Sequence, residues 1–326
     1  IELHHQNSWS GCIRQESLRD FCSSNFGNRT ENNEVTMKVL MIGATGKYAS
    51  LVVPELKQRG VSIRAVVRDK DKVDAARQQG VDEVAIADLR NPESLRTAAA
   101  GVDGVFHINP ALAPDEAEMG VAMVDAAKAV GVRKFVFSGV IHPSLSKLSN
   151  HAAKCPVEEA LYESGMEFTV LQPTRFMQQN LERDWNVVVE RGHFSLPYSK
   201  HLKAAYVDYR DVAEVAALAL TGDKLDYGTF ELCAPDLVSR VDIAAIISET
   251  IGQTIEAGEL SFEEWLRVAH IPEGTFREGF RQLYAHYDRY EFLGNALILR
   301  TILGREPRTM QQYIQELAKR KAVMSV

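Results

Sequence analysis

Short apolar runs alternate with segments of helical periodicity from residue 37 onward, and this alternation is the feature that most constrains the fold. The first run, Met37–Ile42, precedes a helical stretch, and similar pairs repeat as far as Leu171. Because the runs are apolar throughout, they are typical of strands buried on both faces of a parallel sheet. Right-handed crossovers then predict a doubly wound α/β sheet.

Glycine and proline stops, together with the periodicity, set the bounds of the predicted elements. The predicted strands are Met37–Ile42, Val61–Val67, Glu83–Ala87, Gly104–Ile108, Lys134–Phe137, Glu167–Leu171 and, later, Thr229–Cys233. The predicted helices are Lys47–Arg59, Asp71–Gln79, one opening at Asn91–Pro92, Asp115–Val130 and His151–Ser164. Capping-box patterns predict further helix starts at Ser239, Ser261 and Thr309.

Composition divides the chain into three regions. Residues 1–36 are rich in Ser and Asn and predict a disordered extension, with Met37 as a candidate natural start. Residues 37–185 form the predicted Rossmann domain, to which a strand and a helix return within about 204–235. We expect residues 186–326 to form a smaller, mostly helical lobe that covers the carboxyl ends of the strands and shapes a substrate pocket.

Charge and hydropathy exclude several classes of protein. The 326 residues carry a formal net charge of −7, which argues against nucleic-acid binding because phosphate contacts need a basic surface. No apolar run approaches the ~18–20 residues of a membrane-spanning helix. The four cysteines form no CxxC pair, and no cluster has metal-ligand spacing, so we predict neither disulfides nor a metal site. We expect a cytoplasmic protein without a nucleic-acid or membrane partner.

A glycine motif stands where the first strand ends and the first helix begins. In Gly43-Ala44-Thr45-Gly46, Gly43 permits a tight turn and Gly46 lets the backbone approach a pyrophosphate. Ala49, where a third glycine often stands, keeps helix and strand close. The N–H groups at the helix start and the helix dipole favour phosphate there. The motif in this context predicts dinucleotide binding.

The residues after the second predicted strand indicate which dinucleotide is bound. A site that prefers NAD presents an acidic residue there, whereas this chain has Arg68, 22 residues after Gly46, where ~20 is expected. A guanidinium can hold a 2′-phosphate in a fork of hydrogen bonds, and Lys70 adds charge. We therefore predict NADP(H), while Asp69 keeps NAD(H) as the less favoured alternative.

Three further positions follow predicted strands. Asp88 either accepts from the adenine amino group or starts a helix. Asn109 and Pro110 lie where the nicotinamide ribose should pass, although Pro110 also stops its strand. Phe176 and Met177 either line an apolar substrate slot or belong to the core.

These motifs together resemble the NmrA-like family, atypical members of the short-chain dehydrogenase/reductase superfamily. The resemblance rests on GATG at Gly43, VRD at Val67, ADL at Ala87, Lys154, Glu158–Leu161, Ser164–Pro173, Phe176, Met177, Asn180, Val207–Ala213 and Gly304–Thr309. It implies a cofactor site composed of Gly43, Thr45, Gly46, Lys47, Tyr48, Arg68, Lys70, Asp88, Leu89, Asn109, Pro110, Ser138, Lys154 and Pro173.

The resemblance also bears on catalysis. Ordinary superfamily reductases use Tyr-x-x-x-Lys; here Lys154 stands in the lysine position, but Asn150 stands where the tyrosine belongs. In reductases of the family a lysine at this position serves as a general acid or base, and Lys154 can also bind the nicotinamide ribose. His142 and His151 are candidates to replace the missing acid because the ordinary histidine pKa lies near neutrality.

The family contains two kinds of protein, and both interpretations stay open here. Some members are NADPH-dependent reductases of quinones or other small electrophiles, which is the function we favour because a quinone needs less acid assistance than a ketone. Others bind the cofactor as redox sensors that regulate a protein partner. A homodimer is compatible with either. A sugar-nucleotide or isomerase-type enzyme is disfavoured by the absent Tyr-x-x-x-Lys.

Overall fold

The computed structural model describes residues 36–271 and 273–324. The extension predicted for residues 1–36 lies outside these ranges except for Thr36, and Cys12 and Cys22 lie outside them as well. The strands are β1 (Lys38–Ile42), β2 (Ser62–Val67), β3 (Glu83–Ile86), β4 (Gly104–Ile108), β5 (Lys134–Ser138), β6 (Glu167–Pro173), β7 (Arg175–Phe176), β8 (His193–Leu196), β9 (Ala204–Val207), β10 (Gly228–Leu232), β11 (Leu237–Val238) and β12 (Glu256–Glu259).

The helices account for most of the remaining described chain. They are α1 (Val52–Gln58), α2 (Val73–Gln78), α3 (Pro92–Ala99), α4 (Glu116–Ala129), α5 (Ser149–Ala152), α6 (Cys155–Tyr162), α7 (Gln178–Arg191), α8 (Tyr209–Thr221), α9 (Arg240–Ile251), α10 (Phe262–Val268), α11 (Thr275–Tyr290), α12 (Leu297–Leu303) and α13 (Met310–Met324).

Seven strands form one parallel sheet in the order β3-β2-β1-β4-β5-β6-β10. The strand order reverses between β1 and β4, so the loops after these two strands diverge and leave a crevice at the carboxyl edge. The predicted doubly wound Rossmann sheet is therefore confirmed, and the strand predicted at Thr229–Cys233 joins its edge as β10.

Both faces of the sheet are covered, which explains why its central strands are mostly apolar. In β1, Val39 and Met41 pack on the face that α1 and α8 cover. Leu40 and Ile42 point to the opposite face, where α3, α4 and α6 pack. Successive side chains of a strand alternate between faces, so a strand between two helical layers needs apolar residues at every position.

Two predicted helices are not continuous α-helices over their predicted ranges, and proline explains both corrections. The helix predicted over Lys47–Arg59 is a 3-10 turn, Ala49–Leu51, followed by α1. The helix predicted over His151–Ser164 is divided into α5 and α6 around Lys154. A proline ring clashes with the preceding turn except near a helix start, so Pro54 and Pro156 place the starts of α1 and α6 just before them.

Residues after β6 build a second apolar core. Trp185, Ile247, Trp265 and Ile314 represent the helices packed in it, next to the small sheets β7-β9-β11 and β8-β12. The predicted helix starts are confirmed here. Ser239 forms a reciprocal capping box with its third helical residue, the hydroxyl of Ser261 caps α10, and Thr309 exchanges hydrogen bonds with Gln312 before α13.

A buried arginine lies within this second core. The guanidinium of Arg175 is 5.2 Å from the ring centroids of Tyr198, Tyr206 and Tyr287. No ion pair of Arg175 occurs within the described residues, and its Nη1 atom has no hydrogen-bond partner there. The negative ring faces therefore provide most of the electrostatic compensation for this charge.

Asp211 ties the end of the chain to the Rossmann sheet. This buried carboxylate on α8 accepts hydrogen bonds from the backbone N–H of Arg308, at 2.7 Å, and from the guanidinium of Arg305, at 2.9 Å, and also pairs with the Arg308 side chain. Two sequence segments that resemble the NmrA-like family, one in α8 and one before α13, thus meet at a single carboxylate.

We expect Asp211→Asn to lower the free energy of unfolding by about 2 kcal/mol, because charge-assisted hydrogen bonds to a buried group are lost. Urea unfolding followed by circular dichroism measures this change. The matched control is Glu214→Gln, which removes a more exposed partner of Arg305 and should cost less than about 1 kcal/mol. Equal losses in the two variants would contradict the anchoring role of Asp211.

Candidate functional site

The turn after β1 is built for close approach to its backbone. Gly43 has a φ of +83°, in the left-handed region, and a Cβ atom there would lie 3.2 Å from Ile108. The N–H of Gly46 donates to the carbonyl of Gly43 at 2.7 Å, which closes the turn. A Cβ atom on Gly46 would meet that same carbonyl at 3.0 Å. Both positions therefore require glycine for steric reasons.

A cavity of about 390 Å³, here called the first cavity, opens over this turn at the crevice between β1 and β4. It is lined by Ile42, Gly43, Gly46, Lys47, Tyr48, Ala49, Val66, Arg68, Lys72, Ala87, Asp88, Leu89, Arg90, Ile108, Asn109, Pro110 and Met119. The structure therefore brings together nine of the predicted cofactor residues: Gly43, Gly46, Lys47, Tyr48, Arg68, Asp88, Leu89, Asn109 and Pro110.

The lining of the first cavity includes the basic residues Arg68, Lys72 and Arg90. The Arg68 side chain is 61% exposed and pairs with Asp69 at 3.2 Å, so it can turn toward a ligand without leaving a buried group unpaired. A two-pronged ion pair with Asp115 orients Arg90.

The sequence prediction named Lys70 and missed Lys72 and Arg90. Residues 70–72 form a 3-10 turn that follows Asp69, and Lys72, not Lys70, lines the first cavity. Both lysines stand in the same short basic segment, so the sequence does not distinguish them. The direction of the turn decides which lysine lines the first cavity. Thr45 is exposed and outside the lining.

The aromatic side chains behind the glycine turn pack against one another. Phe176 meets the rings of Tyr48 and Tyr209 edge-on, with centroids 4.6 and 4.7 Å apart. The Tyr209 hydroxyl lies 3.0 Å from that of Ser138, which is fully buried. Met177 is also buried. Phe176, Met177 and Ser138 are all absent from the lining of the first cavity.

The side chains of Lys47 and Tyr48, which follow Gly46 in the chain, adjoin this aromatic cluster. Burial raises the pKa of Tyr48 to about 12, so its hydroxyl stays protonated. Burial also lowers the pKa of Lys47, whose ammonium donates to the Gln178 carbonyl and lies 3.6 Å from Glu182. Lys47 thus ties the glycine turn to α7. Pro173, by contrast, is buried, with its carbonyl accepting from Ile141 at 3.0 Å.

A buried polar network lies on the other side of the first cavity. Lys154 is 5% exposed and its ammonium pairs with Glu116, which is 1% exposed. The ammonium also donates to the Asn150 carbonyl at 2.8 Å. Asn109 donates to the Glu116 carbonyl at 3.0 Å and contacts the ring of His107. Sequence reasoning placed Lys154 at the edge of a buried stripe and missed Glu116, whose partner is 38 residues away.

The two candidate catalytic histidines lie beside a different cavity. This second cavity, of about 480 Å³, has His142 in its lining and lies between the segment after β5 and the end of α11. His151 is buried behind it, with Nδ1 3.2 Å from the His142 carbonyl. Burial lowers the pKa of His151 to about 4, so its ring is neutral at neutral pH and carries no proton to donate as an imidazolium.

The described residues lack two features that would indicate a metalloprotein or a membrane-spanning helix. They contain no group of three or more His, Cys, Asp and Glu side chains that could hold a metal ion. None of their helices is both long and apolar enough to span a membrane. Cys155 and Cys233 are free thiols.

The family model described as "NmrA-like family" matches residues 35–314 of this chain. The chain belongs to the NmrA-like family. The resemblance seen in the sequence motifs is thereby confirmed, and the match extends past the Rossmann sheet to the residues that Asp211 holds.

Individual proteins of known name or structure also resemble this chain. An NAD(P)H azoreductase from Xenophilus azovorans is 31% identical over 281 residues, which cover 84% of this chain and 96% of the relative. The triphenylmethane reductase of Citrobacter sp., solved with NADP(H), aligns with a TM-score of 0.76 at 22% identity over 86% of this chain and all of that one. An NADPH-dependent quinone oxidoreductase of Escherichia coli, solved with NADPH, aligns with a TM-score of 0.74 at 21% identity, over 86% and 99% of the two chains.

The depressed pKa of His151 predicts a pH dependence of stability. An unfolded chain protonates this histidine near its ordinary pKa of 6.5, whereas the folded chain resists protonation down to about 4. Because the unfolded state binds more protons in this window, stability falls as the pH falls through it. Between pH 7 and pH 5, His151 alone lowers the free energy of unfolding by about 2 kcal/mol.

Urea unfolding at pH 7 and at pH 5 measures this effect. The change in the free energy of unfolding between the two pH values is compared between each variant and the parent chain. We expect His151→Gln to lose about 2 kcal/mol less than the parent chain over this interval. His193→Gln, at an exposed position, serves as the control and should follow the parent. A His151 variant with the same pH slope as the parent would show that the ring is not buried in solution.

Proposed function

We propose that this chain is an NADPH-dependent reductase that transfers a hydride to a small conjugated electrophile such as a quinone. One observation carries the proposal: a turn that favours glycine at both Gly43 and Gly46 lines the first cavity, and Arg68 and Lys72 line that same cavity. This arrangement fits a dinucleotide with its pyrophosphate over the turn and its 2′-phosphate at the two cations.

The names of the relatives support the same reaction class. The azoreductase, the triphenylmethane reductase and the quinone oxidoreductase all carry names of reductases, and their names or bound ligands specify NAD(P)H, NADP(H) or NADPH. The three names specify different substrates for proteins that resemble the same chain. The relatives therefore favour reduction of a conjugated acceptor but do not select among acceptors.

The residues of the first cavity would hold NADP(H) in defined parts. The N–H of Gly46 closes the turn, and the backbone N–H groups that follow it would face the pyrophosphate, because the first amide groups of a helix have no partners within it. Arg68 and Lys72 serve the 2′-phosphate, and Asp88 accepts from the adenine amino group. Asn109 directs the chain of the dinucleotide toward the nicotinamide side.

Lys154 is the group that we place beside the nicotinamide. When bound, NADPH supplies a hydride, and a quinone that accepts it becomes a hydroquinone after taking up one proton. Glu116 and the Asn150 carbonyl hold the Lys154 ammonium in place. In that position it can bind the nicotinamide ribose and stabilise negative charge that develops on the acceptor.

The absence of a tyrosine at position 150 is consistent with this substrate class. The anion formed from a quinone is a stabilised phenolate, which needs less general-acid assistance than the alkoxide formed from a ketone. Positioning of the acceptor against the nicotinamide then supplies much of the rate. The buried, neutral His151 is not needed as an acid in such a reaction.

Turnover tests the proposed function directly. We expect the pure protein to oxidise NADPH, followed as the loss of nicotinamide absorbance, when a quinone, an azo dye or a triphenylmethane dye is added. Calorimetric titration with NADPH and NADP⁺ accompanies the assay. Tight binding of both without any turnover would refute the reductase function, and clearly different affinities would then indicate a redox-sensing regulator.

Cofactor choice gives a second prediction. We expect the double substitution Arg68→Ala with Lys72→Ala to weaken NADPH binding at least a hundredfold, because two charge-assisted hydrogen bonds are lost and each is worth about 1.5–3 kcal/mol. NADH binding should change less than twofold, which calorimetry measures in the same way. The control is Arg77→Ala, which removes an exposed cation on α2. A parallel loss for NADH would show that these cations do not recognise the 2′-phosphate.

A further inference from the structure

The buried guanidinium of Arg175 has no counter-charge in the part of the chain that the structure describes. The residue is 8% exposed, it forms no ion pair with a described carboxylate, and its Nη1 atom has no hydrogen-bond partner there. Arginine cannot lose its charge by deprotonation in a protein. Charged side chains are almost never buried unless an opposite charge accompanies them. Arg175 therefore lacks the partner that a buried cation normally has.

A second buried arginine adds positive charge at the same place. Arg240 is 3% exposed, and the ring centroid of Tyr198 lies 4.5 Å from its guanidinium and 5.2 Å from that of Arg175. Arg240 donates to the carbonyls of Leu196 and Gly258 at 2.9 and 3.1 Å. These acceptors are neutral, so they satisfy hydrogen bonds without balancing the charge. Two positive charges thus lie against one aromatic ring.

The carboxylates of the surrounding segments are engaged with the backbone of the loop between β8 and β9. Asp288 accepts from the N–H of Ser199 at 2.6 Å, and both are exposed. Glu259, also exposed, accepts from the N–H of Lys200 at 2.7 Å. Glu259 attracts Arg240 through space but forms no ion pair with it. Neither carboxylate therefore provides a direct partner for a buried arginine.

The tyrosines around Arg175 do not supply a negative charge either. Burial raises the pKa of Tyr206 and of Tyr287 above the ordinary tyrosine value, so their hydroxyls stay protonated at neutral pH. The ring faces attract a cation, but the rings carry no net charge. The rings of Tyr198, Tyr206 and Tyr287 are all 5.2 Å from the guanidinium. Arg175 is therefore not stacked closely on any one of them.

Unpaired N–H donors are concentrated in this aromatic cluster, here called the Tyr198 cluster and made up of Arg175, Tyr198, Tyr206, Arg240, Trp265, Tyr284 and Tyr287. Six buried side-chain nitrogen or oxygen atoms of the described residues lack a partner, and three of them are Arg175 Nη1, Arg240 Nε and Trp265 Nε1. The ring of Tyr284 lies 5.0 Å from that of Trp265 and 5.2 Å from that of Tyr198. All three unpaired atoms are donors, which matches an acceptor that carries negative charge.

We propose that the Tyr198 cluster binds one small monovalent anion of the halide class, such as chloride, against the guanidinium of Arg175. The anion balances a buried charge and accepts from N–H groups that have no acceptor in the described chain. Because Arg175 is almost fully covered, the site excludes bulky anions. The anion lies within the second core, so it stabilises the packing of that core on β7. This site is separate from both cavities and does not depend on the proposed reductase function.

Urea unfolding of the full chain at constant ionic strength, with sodium chloride replacing sodium gluconate, tests the proposal. A ligand that binds only the folded state lowers the unfolding equilibrium constant in proportion to its concentration once that exceeds the dissociation constant. We therefore expect this constant to fall about tenfold for a tenfold rise in chloride. Arg175→Met should abolish the dependence. The control is Arg267→Met, at an exposed position on α10, which should keep the dependence of the parent chain.

Crystals of the parent chain grown in sodium bromide give a readout that needs no variant, so the proposal stays testable if Arg175→Met does not fold. We expect an anomalous bromide peak within hydrogen-bond distance of Arg175 Nη1. A water molecule at that place, or bromide only at exposed positions, would overturn the inference. It would equally be overturned by a parent chain whose unfolding does not respond to chloride, or by a folded Arg175→Met variant that responds as the parent does.

Discussion

A single backbone hydrogen bond, from the N–H of Gly46 to the carbonyl of Gly43, determines the geometry on which the candidate site depends. It closes a turn that brings the chain from β1 into the next helical turn within a few residues. The turn is possible because Gly43 occupies the left-handed region and because neither glycine presents a Cβ atom to its neighbours. Any side chain here would push the backbone away from the crevice where the strand order reverses.

The groups around this crevice are held by contacts that reach far along the chain. Lys47 reaches α7, and Arg90 is oriented by Asp115. The most buried of these contacts is the pair of Glu116 and Lys154. A buried ion pair contributes little net stability, because desolvation offsets the attraction, but it fixes the position of its members. Glu116 also accepts from the Leu112 N–H at 2.8 Å, so one carboxylate positions both the lysine and the segment that follows β4.

The two cavities differ in the kind of recognition that they support. The first combines a backbone turn with fixed cations, which suits a phosphate-bearing ligand whose shape does not vary. The second relies on apolar side chains, imidazoles and a balanced charge pair. Such a site discriminates by size and flatness more than by charge.

The sequence alone determined the doubly wound sheet, the glycine turn, the basic residue at Arg68 and the family. These features depend on local chemistry: an apolar strand, a residue without a side chain, or a cap such as Ser239 acts within a few residues of itself. Only the tertiary structure decided that Lys72 replaces Lys70 in the cavity, that Glu116 pairs with Lys154 and that Phe176 packs against Tyr48 and Tyr209. The reason is that folding brings the ends of parallel strands together from distant parts of the chain. No spacing in the sequence records which side chains then meet.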